Sequence, residues 1–229
     1  MKTRLLVAAG GMGARLGLGG PKALVEVAGK PMLVRTLDRF AALSLLDDAV
    51  LVVPGGHEGA FEQALTSAFP SLRFTFVAGG PERQISVNNG LEKLPSGTEI
   101  VVIHDAARPF VTETSIRASI EAAEADGAAT VAIPSTDTIL QGDADAYLVD
   151  TPDRQALWAC QTPQTFQVDV IRRAHESARR DGYLATDDAS LVRRAGGRVK
   201  LVMGSPLNFK ITTPTDLALA ECVVKEGLA

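Results

Sequence analysis

Six short apolar runs, separated by helical segments, constrain the fold of this 229-residue chain more than any other feature. Most of the runs are continuous rather than alternating, which is typical of strands covered on both faces. They lie at residues 4–9, 49–53, 72–77, 99–103, 129–133 and 198–203. Segments with helical spacing lie between and after them, at 32–43, 58–69, 82–94, 113–125, 169–181, 187–195 and 214–226.

This alternation predicts an α/β fold, with an open, mostly parallel sheet and helices on both faces. In such folds ligands bind beyond the carboxyl ends of the strands. We therefore expect functional residues in the segments that follow strands, at 10–22, 79–86, 104–108 and 134–138. No linker divides the chain, so a single domain over residues 1–229 is predicted.

Residues 135–166 interrupt the alternation because they contain no convincing helical pattern. We predict an extended β-arm there, inserted at approximately residues 136–160. Its strands are expected at 137–140, 147–150 and 157–159, with a turn at 141–146. A long non-helical insertion in a compact domain is usually functional or an interface.

Charge and cysteine content narrow the class of protein. The net charge is −4, which gives no field that favours nucleic acid, although residues 1–35 carry six basic side chains against Glu26 alone. That local excess indicates a small anionic ligand. Cys160 and Cys222 lack metal-ligand spacing, which predicts reduced thiols. Because no apolar run approaches the ~20 residues of a membrane helix, we expect a soluble, cytoplasmic protein without a membrane or nucleic-acid partner.

A glycine-rich loop with Arg15 and Lys22 follows the first apolar run. It fails the dinucleotide fingerprint because Leu16 occupies the last glycine position and no suitable ribose-binding acid follows the second strand. The P-loop pattern fails at Pro31. A backbone cradle with two cations for phosphate oxygens remains, and it suits phosphoryl or nucleotidyl transfer.

The loop AAGGMGARLGLGGPK, residues 8–22, resembles the signature of sugar-phosphate nucleotidyltransferases. IHDAARPFV, residues 103–111, narrows this to a resemblance to the 2-C-methyl-D-erythritol 4-phosphate cytidylyltransferases. Further similar motifs follow in the family's order, at 79–87, 135–139, 153–166, 186–192 and 208–221, so the resemblance covers nearly the whole chain. Leu16 and Ala23 depart from the common pattern without removing a charge.

This resemblance implies a Rossmann-like α/β domain whose β-arm reaches across a homodimer. The implied reaction transfers a cytidylyl group from CTP to 2-C-methyl-D-erythritol 4-phosphate. It gives 4-CDP-2-C-methyl-D-erythritol and pyrophosphate, in the non-mevalonate route to isoprenoid precursors. Mg²⁺, or another divalent cation, is implied as a cofactor held mainly by CTP phosphates, because Mg²⁺ prefers few carboxylates and several phosphate oxygens. No all-protein metal site is expected.

Three alternatives stay open. A D-ribitol 5-phosphate cytidylyltransferase has similar motifs, and the two substrates would be separated by the pocket around Arg108, Thr138, Arg154 and Thr162. A nicotinamide-dinucleotide-binding oxidoreductase belongs to a different class, and the mismatched fingerprint argues against it. A catalytically silent nucleotide-binding module is disfavoured because both loop cations are present.

The resemblance also implies site residues. Arg15 and Lys22 would be catalytic, stabilising the transition state at the α-phosphorus. The nucleotide would contact the loop mostly through its backbone, at Ala8, Ala9, Gly10 and Gly11. Its further contacts would be Gly80, Arg83, Ser86, Asp105 and Ala106. The polyol phosphate would contact Asp105, Arg108, Thr162 and Lys210, together with Thr138 and Arg154 from the partner's arm.

Several of these residues also have plain structural interpretations. Asp105 and Arg108 could pair internally, and Arg154 could form an ion pair within the arm. His104 is interpreted as structural, because a phosphate nucleophile is already ionised at neutral pH and needs no general base. Lys210 is placed in a late strand.

Two polar clusters are interpreted as helix starts. The sequence Thr186-Asp187-Asp188 suits a helix N-terminus, although paired acids also suggest a metal. Thr213 is expected to cap the last helix, with Asp216 bonding back to it.

Overall fold

A seven-stranded, mostly parallel sheet forms the centre of the protein in this computed structural model, which describes residues 1–17 and 19–229. Its strand order is β11-β7-β10-β6-β1-β4-β5. The bounds of these strands are β1 Thr3–Ala8, β4 Val50–Val53, β5 Thr75–Ala78, β6 Ile100–Asp105, β7 Ala128–Pro134, β10 Trp158–Gln167 and β11 Lys200–Met203. Two small antiparallel pairs complete the strands: β2 Glu26–Val27 with β3 Lys30–Pro31, and β8 Gln141–Gly142 with β9 Leu148–Asp150.

Helices connect the strands as the sequence predicts. They are α1 Met32–Ala41, α2 Glu58–Ala68, α3 Arg83–Glu92, α4 Glu113–Asp126, α5 Val168–Arg180, α6 Asp188–Arg194 and α7 Pro214–Lys225. All main-sheet pairs are parallel except those of β10, which runs antiparallel to both β6 and β7. The predicted α/β class is thereby confirmed. Among the helices described, none is both long and apolar enough to cross a membrane.

Side chains of the central strands alternate between two buried layers. Leu5 and Val7 of β1 pack in one cluster with residues of α1 and α2. Leu6 packs in a second cluster on the opposite face, with residues of α3, α5 and α6. Successive side chains of a strand point to opposite faces, so a continuous apolar run is what a sheet covered on both sides requires.

Strand β10 is longer than the sequence predicts. The predicted strand at 157–159 is only the beginning of a ten-residue strand. Pro163 interrupts the polar stretch that follows, and a proline lowers the expectation of a central strand. The structure accommodates it with a register shift between Cys160 and Gln164 in the pairing with β7.

The arm extends away from the main sheet, and every residue from 136 to 151 is exposed. The strand predicted at 137–140 is wrong, since the first arm strand is the short β8 at Gln141–Gly142. The strand predicted at 147–150 is confirmed as β9 at Leu148–Asp150. Apolar side chains lie on the arm surface, notably Leu140, Tyr147 and Leu148.

Helix capping follows the sequence. Asp187 accepts a hydrogen bond from the Ser190 amide at the start of α6. Thr213 and Asp216 form a capping box with Pro214 in the first turn of α7. Both predicted helix starts are therefore confirmed.

Gly90 lets α3 approach the sheet closely. A Cβ atom built at Gly90 would lie 2.7 Å from Leu6 Cδ1 and 2.9 Å from Val52 Cγ2. Both neighbours are fully buried, so neither has free space into which to move. Gly59 in α2 is the natural comparison, because a Cβ there meets nothing within 4 Å.

We therefore expect Gly90→Ala to destabilise the protein by about 1–3 kcal/mol through overpacking, although alanine is the better helix former. Gly59→Ala should be neutral or stabilising by up to about 1 kcal/mol. Chemical denaturation of the two variants measures the difference. Equal midpoints for both variants would contradict the close approach of α3.

Candidate active site

Two adjoining cavities lie at the carboxyl ends of β1 and β6. The first, the glycine-loop cavity, has a volume of about 270 Å³ and is lined by Ala8, Ala9, Gly10, Gly11, Lys22, Ala23, Gly80, Pro81, Glu82, Arg83, Ser86, Asp105, Ala106, Ala107 and Lys210. The second, the β10 cavity, has a volume of about 210 Å³ and is lined by Arg83, Asp105, Arg108, Cys160, Gln161, Thr162, Gln164, Thr186, Asp187 and Lys210. Three charged residues line both: Arg83, Asp105 and Lys210.

The glycine-rich loop folds back so that Lys22 faces the first cavity. The Lys22 amide donates to the Gly11 carbonyl at 2.9 Å. Gly13 has a φ of 69°, a left-handed conformation that side chains disfavour, and this turn carries the chain back toward β1. At Gly10 and Gly11 a Cβ atom would meet nothing within 4 Å, so this backbone is open to a ligand.

Lys22 is the cation most perturbed by its surroundings. Partial burial, together with the nearby charge of Lys210, lowers the pKa of Lys22 to about 8, although Asp105 opposes the change. The charge of Arg15 also lowers this pKa, which places Arg15 within electrostatic range of Lys22. Arg15 itself is exposed and lines neither cavity. A bound polyanion would raise the pKa of Lys22 again and favour its charged form.

Asp105, the last residue of β6, is surrounded by cations. Its carboxylate lies 2.7 Å from Lys210 Nζ, 3.5 Å from Arg83 Nε and 3.9 Å from Arg108 Nε. Burial would raise the pKa of Asp105, but Arg83 and Lys210 hold it well below its usual range. The internal pairing of Asp105 with Arg108 is thus one of three such contacts. With three cations around one carboxylate, the centre of the site keeps a positive excess that suits an anionic ligand.

Arg108 is fixed by backbone carbonyls. Its Nη1 donates to the Asn208 carbonyl at 2.7 Å and its Nη2 to the Cys160 carbonyl at 3.3 Å. Its buried Nε has no hydrogen-bond partner among the described residues. Asp105 Oδ2 lies 3.9 Å from this atom, so a small shift of either side chain would satisfy the buried donor.

Lys210 is in a loop rather than in the late strand that the sequence predicts. The loop runs from the end of β11 to the start of α7, and the Ile211 amide donates to the Ala107 carbonyl at 2.9 Å. This bond draws the segment toward the end of β6, which places the Lys210 ammonium on Asp105. Lys210 lines both cavities, while its backbone does not form the predicted strand.

His104 and Thr162 form a buried hydrogen-bonded pair behind Asp105. His104 Nε2 lies 3.0 Å from the Arg108 carbonyl, which can only accept, so Nε2 carries the proton. Nδ1 then accepts from the Thr162 hydroxyl at 3.0 Å. The same hydroxyl oxygen accepts from the Asp105 amide at 3.1 Å. The proton of Thr162 is therefore committed to His104, and only its oxygen is left to face a ligand.

Full burial lowers the pKa of His104 to about 4, although its bond to the Arg108 carbonyl acts in the opposite direction. The imidazole is neutral at physiological pH and holds the Asp105–Arg108 turn from behind. This geometry agrees with the interpretation of His104 as a structural residue.

Gly80 and Ser86 close the other side of the glycine-loop cavity. The Gly80 amide donates to Ser86 Oγ at 3.0 Å, and a Cβ on Gly80 would collide with Ile85. Only glycine fits there, so the segment between β5 and α3 bends tightly over the cavity.

Thr138 and Arg154 lie apart from the other predicted residues. Both are exposed on the arm and neither lines a cavity. The Arg154 guanidinium donates to the Thr136 carbonyl at 3.3 Å. Among the described residues it forms no ion pair with an acid of the arm. The structure thus brings the predicted residues of the main domain to the two cavities, except Arg15, and leaves the two arm residues outside as well.

Sequence reasoning missed three buried residues that hold the site together. Gln164 bonds the start of α6 to β10, Asp188 pairs with Arg83, and Asn208 donates to the Thr162 carbonyl at 2.8 Å. Gln164 is fully buried inside β10, where a polar residue needs partners, but the sequence predicted that strand only as far as residue 159. Within residues 1–17 and 19–229, no group of three or more His, Cys, Asp or Glu side chains is placed to hold a metal.

The state of His104 predicts a pH dependence of stability. Its folded pKa of about 4 is below the unfolded value of 6.5, so the unfolded chain takes up a proton in this window while the folded chain does not. Stability present above pH 6.5 is lost as the pH falls toward 4. Between pH 7 and pH 5 this group should cost about 2 kcal/mol.

Urea denaturation at the two pH values measures this loss, with His104→Gln as the comparison. The variant cannot bind the proton, so its stability should fall less between pH 7 and pH 5, even though it starts from a lower value. The same pH dependence in both proteins would rule out a neutral, buried His104.

Comparison with known proteins agrees with this geometry. The family model described as IspD, 2-C-methyl-D-erythritol 4-phosphate cytidylyltransferase, matches residues 3–226. A curated protein of that name from Geobacillus thermodenitrificans is 44% identical over 229 residues, covering 100% of both chains. The crystal structure of a protein with the same name from Thermus thermophilus superposes with a TM-score of 0.81 at 36% identity, covering 98% of this chain and 100% of that one.

A second solved structure, the 4-diphosphocytidyl-2C-methyl-D-erythritol synthase of Anaerococcus prevotii, has a TM-score of 0.86 at 29% identity and covers 98% of both chains. The family match spans nearly the whole chain, and the relatives are matched over nearly their whole length. The chain therefore belongs to the 2-C-methyl-D-erythritol 4-phosphate cytidylyltransferase family.

Proposed function

We propose that this chain transfers the cytidylyl group of CTP to 2-C-methyl-D-erythritol 4-phosphate. The products are 4-CDP-2-C-methyl-D-erythritol and pyrophosphate, an intermediate and by-product of isoprenoid precursor synthesis. The observation that carries the proposal is the pair of adjoining cavities that share Arg83, Asp105 and Lys210, in a chain of this family. The glycine-loop cavity suits the nucleotide, and the β10 cavity suits the polyol phosphate.

The chemistry needs positioning and charge more than proton transfer. An oxygen of the substrate phosphate attacks the α-phosphorus of CTP, and the bond from that phosphorus to the oxygen bridging to the β-phosphorus breaks. Pyrophosphate leaves with the bonding electrons. The attacking phosphate is already ionised, so the site requires no general base, which is consistent with a neutral His104.

Lys22 and Arg15 supply positive charge where the transition state gathers negative charge. The ammonium of Lys22 lines the glycine-loop cavity, and the open backbone at Gly10 and Gly11 lets the nucleotide approach. Arg15 swings in from the surface of the same loop once phosphate oxygens are present. Such preorganised charges typically contribute about 10²–10³ in rate each.

The β10 cavity receives the polyol phosphate. Lys210 pairs with its phosphate, and the guanidinium of Arg108, which lines the same cavity, adds a second positive charge. The Thr162 oxygen is positioned to accept from a polyol hydroxyl, because its own proton is held by His104. Asp105 holds Lys210 and Arg83 near each other by offsetting their mutual repulsion.

A divalent cation, Mg²⁺ in the first instance, fits the donors at the site. Asp105 is the carboxylate shared by both cavities, and Mg²⁺ is usually held by one or two carboxylates together with substrate phosphates. When bound, the ion would neutralise charge on the triphosphate. The CTP phosphates would hold most of the ion, and Asp105 could add an oxygen only by giving up its contact with Lys210 or Arg83.

Pyrophosphate release tests the proposal. Purified protein with Mg²⁺ and CTP should release pyrophosphate on addition of 2-C-methyl-D-erythritol 4-phosphate, and not on addition of D-ribitol 5-phosphate. Release with the ribitol compound alone would retain the reaction type and overturn the substrate. Silence with both substrates would overturn the proposed reaction.

Arg15→Ala tests the assigned role of the loop arginine in the same assay. We expect kcat to fall about 10²–10³-fold while CTP still binds. Arg73→Ala, which removes another exposed arginine far along the chain, is the matched control and should leave kcat unchanged. Full turnover by Arg15→Ala would remove Arg15 from the mechanism.

The arm serves a second copy of the chain in this proposal. Thr138 and Arg154 are outside the cavities of their own chain, and Leu140, Tyr147 and Leu148 expose apolar surface beside them. A homodimer would cover that surface and bring Arg154 to the polyol phosphate of the partner.

Mixing two inactive variants tests this exchange. Arg15→Ala and Arg154→Ala are each expected to be nearly inactive alone. If the arm acts across the dimer, a mixed dimer contains one site with both arginines intact, so an equal mixture should regain about a quarter of the wild-type rate. No recovery after subunit exchange, verified by mass spectrometry of differently tagged chains, would contradict the exchanged arm.

The reaction is assigned to the cytoplasm. Both cysteines, Cys160 and Cys222, are free thiols, and free cysteines in exposed positions suit a reducing compartment. CTP and Mg²⁺ are present there as well.

A further inference from the structure

Asp188 is a buried acid whose contacts differ from those of its neighbour in the chain. Asp187 caps α6, as described above, whereas the side chain of Asp188 is fully buried and turns toward α3. Its Oδ2 lies 2.7 Å from Arg83 Nη1. Helix capping therefore explains only the first of the two acids.

Arg83 is held between two carboxylates. Its Nη1 contacts Asp188 while its Nε lies 3.5 Å from Asp105 Oδ1. Burial would lower the pKa of Arg83, but Asp188 and Asp105 raise it, so the guanidinium is charged at every accessible pH. Its side chain is 25% exposed, and that exposed part lines both cavities.

The position of Asp188 is itself determined by β10. The Oε1 of the fully buried Gln164 accepts from the Asp188 amide at 2.9 Å and from the Ala189 amide at 3.2 Å. On the other side, Gln84 bonds to the backbone of Tyr183 and Ala185, at 3.1 and 2.7 Å. Thus two successive residues of α3 are tied to the segment that leads into α6.

Without Asp188, the nearest acid to Arg83 would be Asp105. That carboxylate already holds Lys210 at 2.7 Å, and Arg108 is close by. A guanidinium released from Asp188 would move onto Asp105 and compete with Lys210. His175 lies on the other oxygen of the Asp188 carboxylate, with its Nε2 3.3 Å from Oδ1.

We infer that Asp188 is a positioning residue for the transfer reaction. It anchors the guanidinium of Arg83 at the wall of the glycine-loop cavity and thereby leaves Asp105 to Lys210. The inference rests on the proposed function, since it assigns the anchored Arg83 to the nucleotide. Asp188 contacts no substrate and acts only through Arg83.

Steady-state kinetics of Asp188→Asn, Arg83→Gln and the double variant test this coupling. Asp188→Asn should raise KM for CTP by about tenfold or more through misplacement of Arg83. Arg83→Gln should raise it at least as much. In the double variant the KM should equal that of Arg83→Gln alone, because Asp188 has nothing left to position. Multiplying effects in the double variant would overturn the inference.

Asp181→Asn is the matched control. Asp181 also pairs with an arginine, lying 3.1 Å from Arg194 Nη2, but on the surface, where both side chains are more than 40% exposed. Asp181→Asn changes the net charge by the same amount as Asp188→Asn and should leave both KM values and kcat unchanged. An Asp188→Asn protein that matched this control would overturn the inference.

Folding is measured on every variant by its thermal midpoint. Each single change leaves a buried charge without its partner, so the double variant should melt above both single variants. Should Asp188→Asn fail to fold, Arg83→Lys gives the second measurement. It keeps a charge beside Asp188 but loses the planar guanidinium whose Nη1 and Nε face the two carboxylates, so KM for CTP should rise while the fold is retained. An unchanged KM in that folded variant would overturn the inference.

The experiment separates the inference from the function on which it rests. If wild-type protein releases no pyrophosphate, the proposed function is overturned. The affinity of each variant for CTP, measured by calorimetry, would then still test the role of Asp188. Wild-type release together with an unaffected Asp188→Asn overturns only the role of Asp188.

Discussion

The carboxylate of Asp105 at the end of β6 is the interaction on which the rest of the site depends. It is the shared counter-charge of Arg83, Arg108 and Lys210, which come from three different parts of the chain. Bringing three cations into one partly buried place without it would be costly, because their mutual repulsion is weakly screened there. Their approach therefore depends on this carboxylate together with Asp188, which contacts Arg83 at 2.7 Å. The backbone amide of Asp105 is in turn held by Thr162.

Two residues of β10 support the site from behind. Thr162 bonds to the Asp105 amide, and Gln164 bonds to the Asp188 amide. One antiparallel strand in an otherwise parallel sheet thus determines the position of both carboxylates that face Arg83. The fold and the site share these bonds, so a change in the strand would alter stability and ligand binding together.

The sequence predicts the elements well and their polar interior poorly. Continuous apolar runs located all six parallel strands, because strands covered on both faces have no other pattern. The course of β10 was missed because Pro163 and the polar residues around it read as a loop. Those polar residues are buried only because they bond to distant segments, and such partners leave no local signal in a sequence.

The same division holds within the site. Lys22 and Asp105 were predicted as site residues because each comes soon after an apolar run, and both line the glycine-loop cavity, whereas Arg15 of the same loop lines neither cavity. The separate roles of Asp187 and Asp188 could not be predicted from two adjacent acids, because only the fold brings Arg83 of α3 to Asp188 while Asp187 caps α6. Lys210 was placed in a strand because its neighbours are apolar, while the bond from Ile211 to Ala107 sets a loop instead.

The insertion of β10 between β6 and β7 also governs how the molecule is assembled during synthesis. Both edges that receive this strand emerge from the ribosome well before it, since β6 ends at Asp105 and β10 ends at Gln167. At about 5–20 residues per second, the gap lasts roughly 3–12 s. During that time the nascent sheet presents an open edge of unpaired backbone groups flanked by Val101, Val102 and Ile103. Such an edge favours pairing with other chains. Strand β10, which completes the site, also covers this open edge.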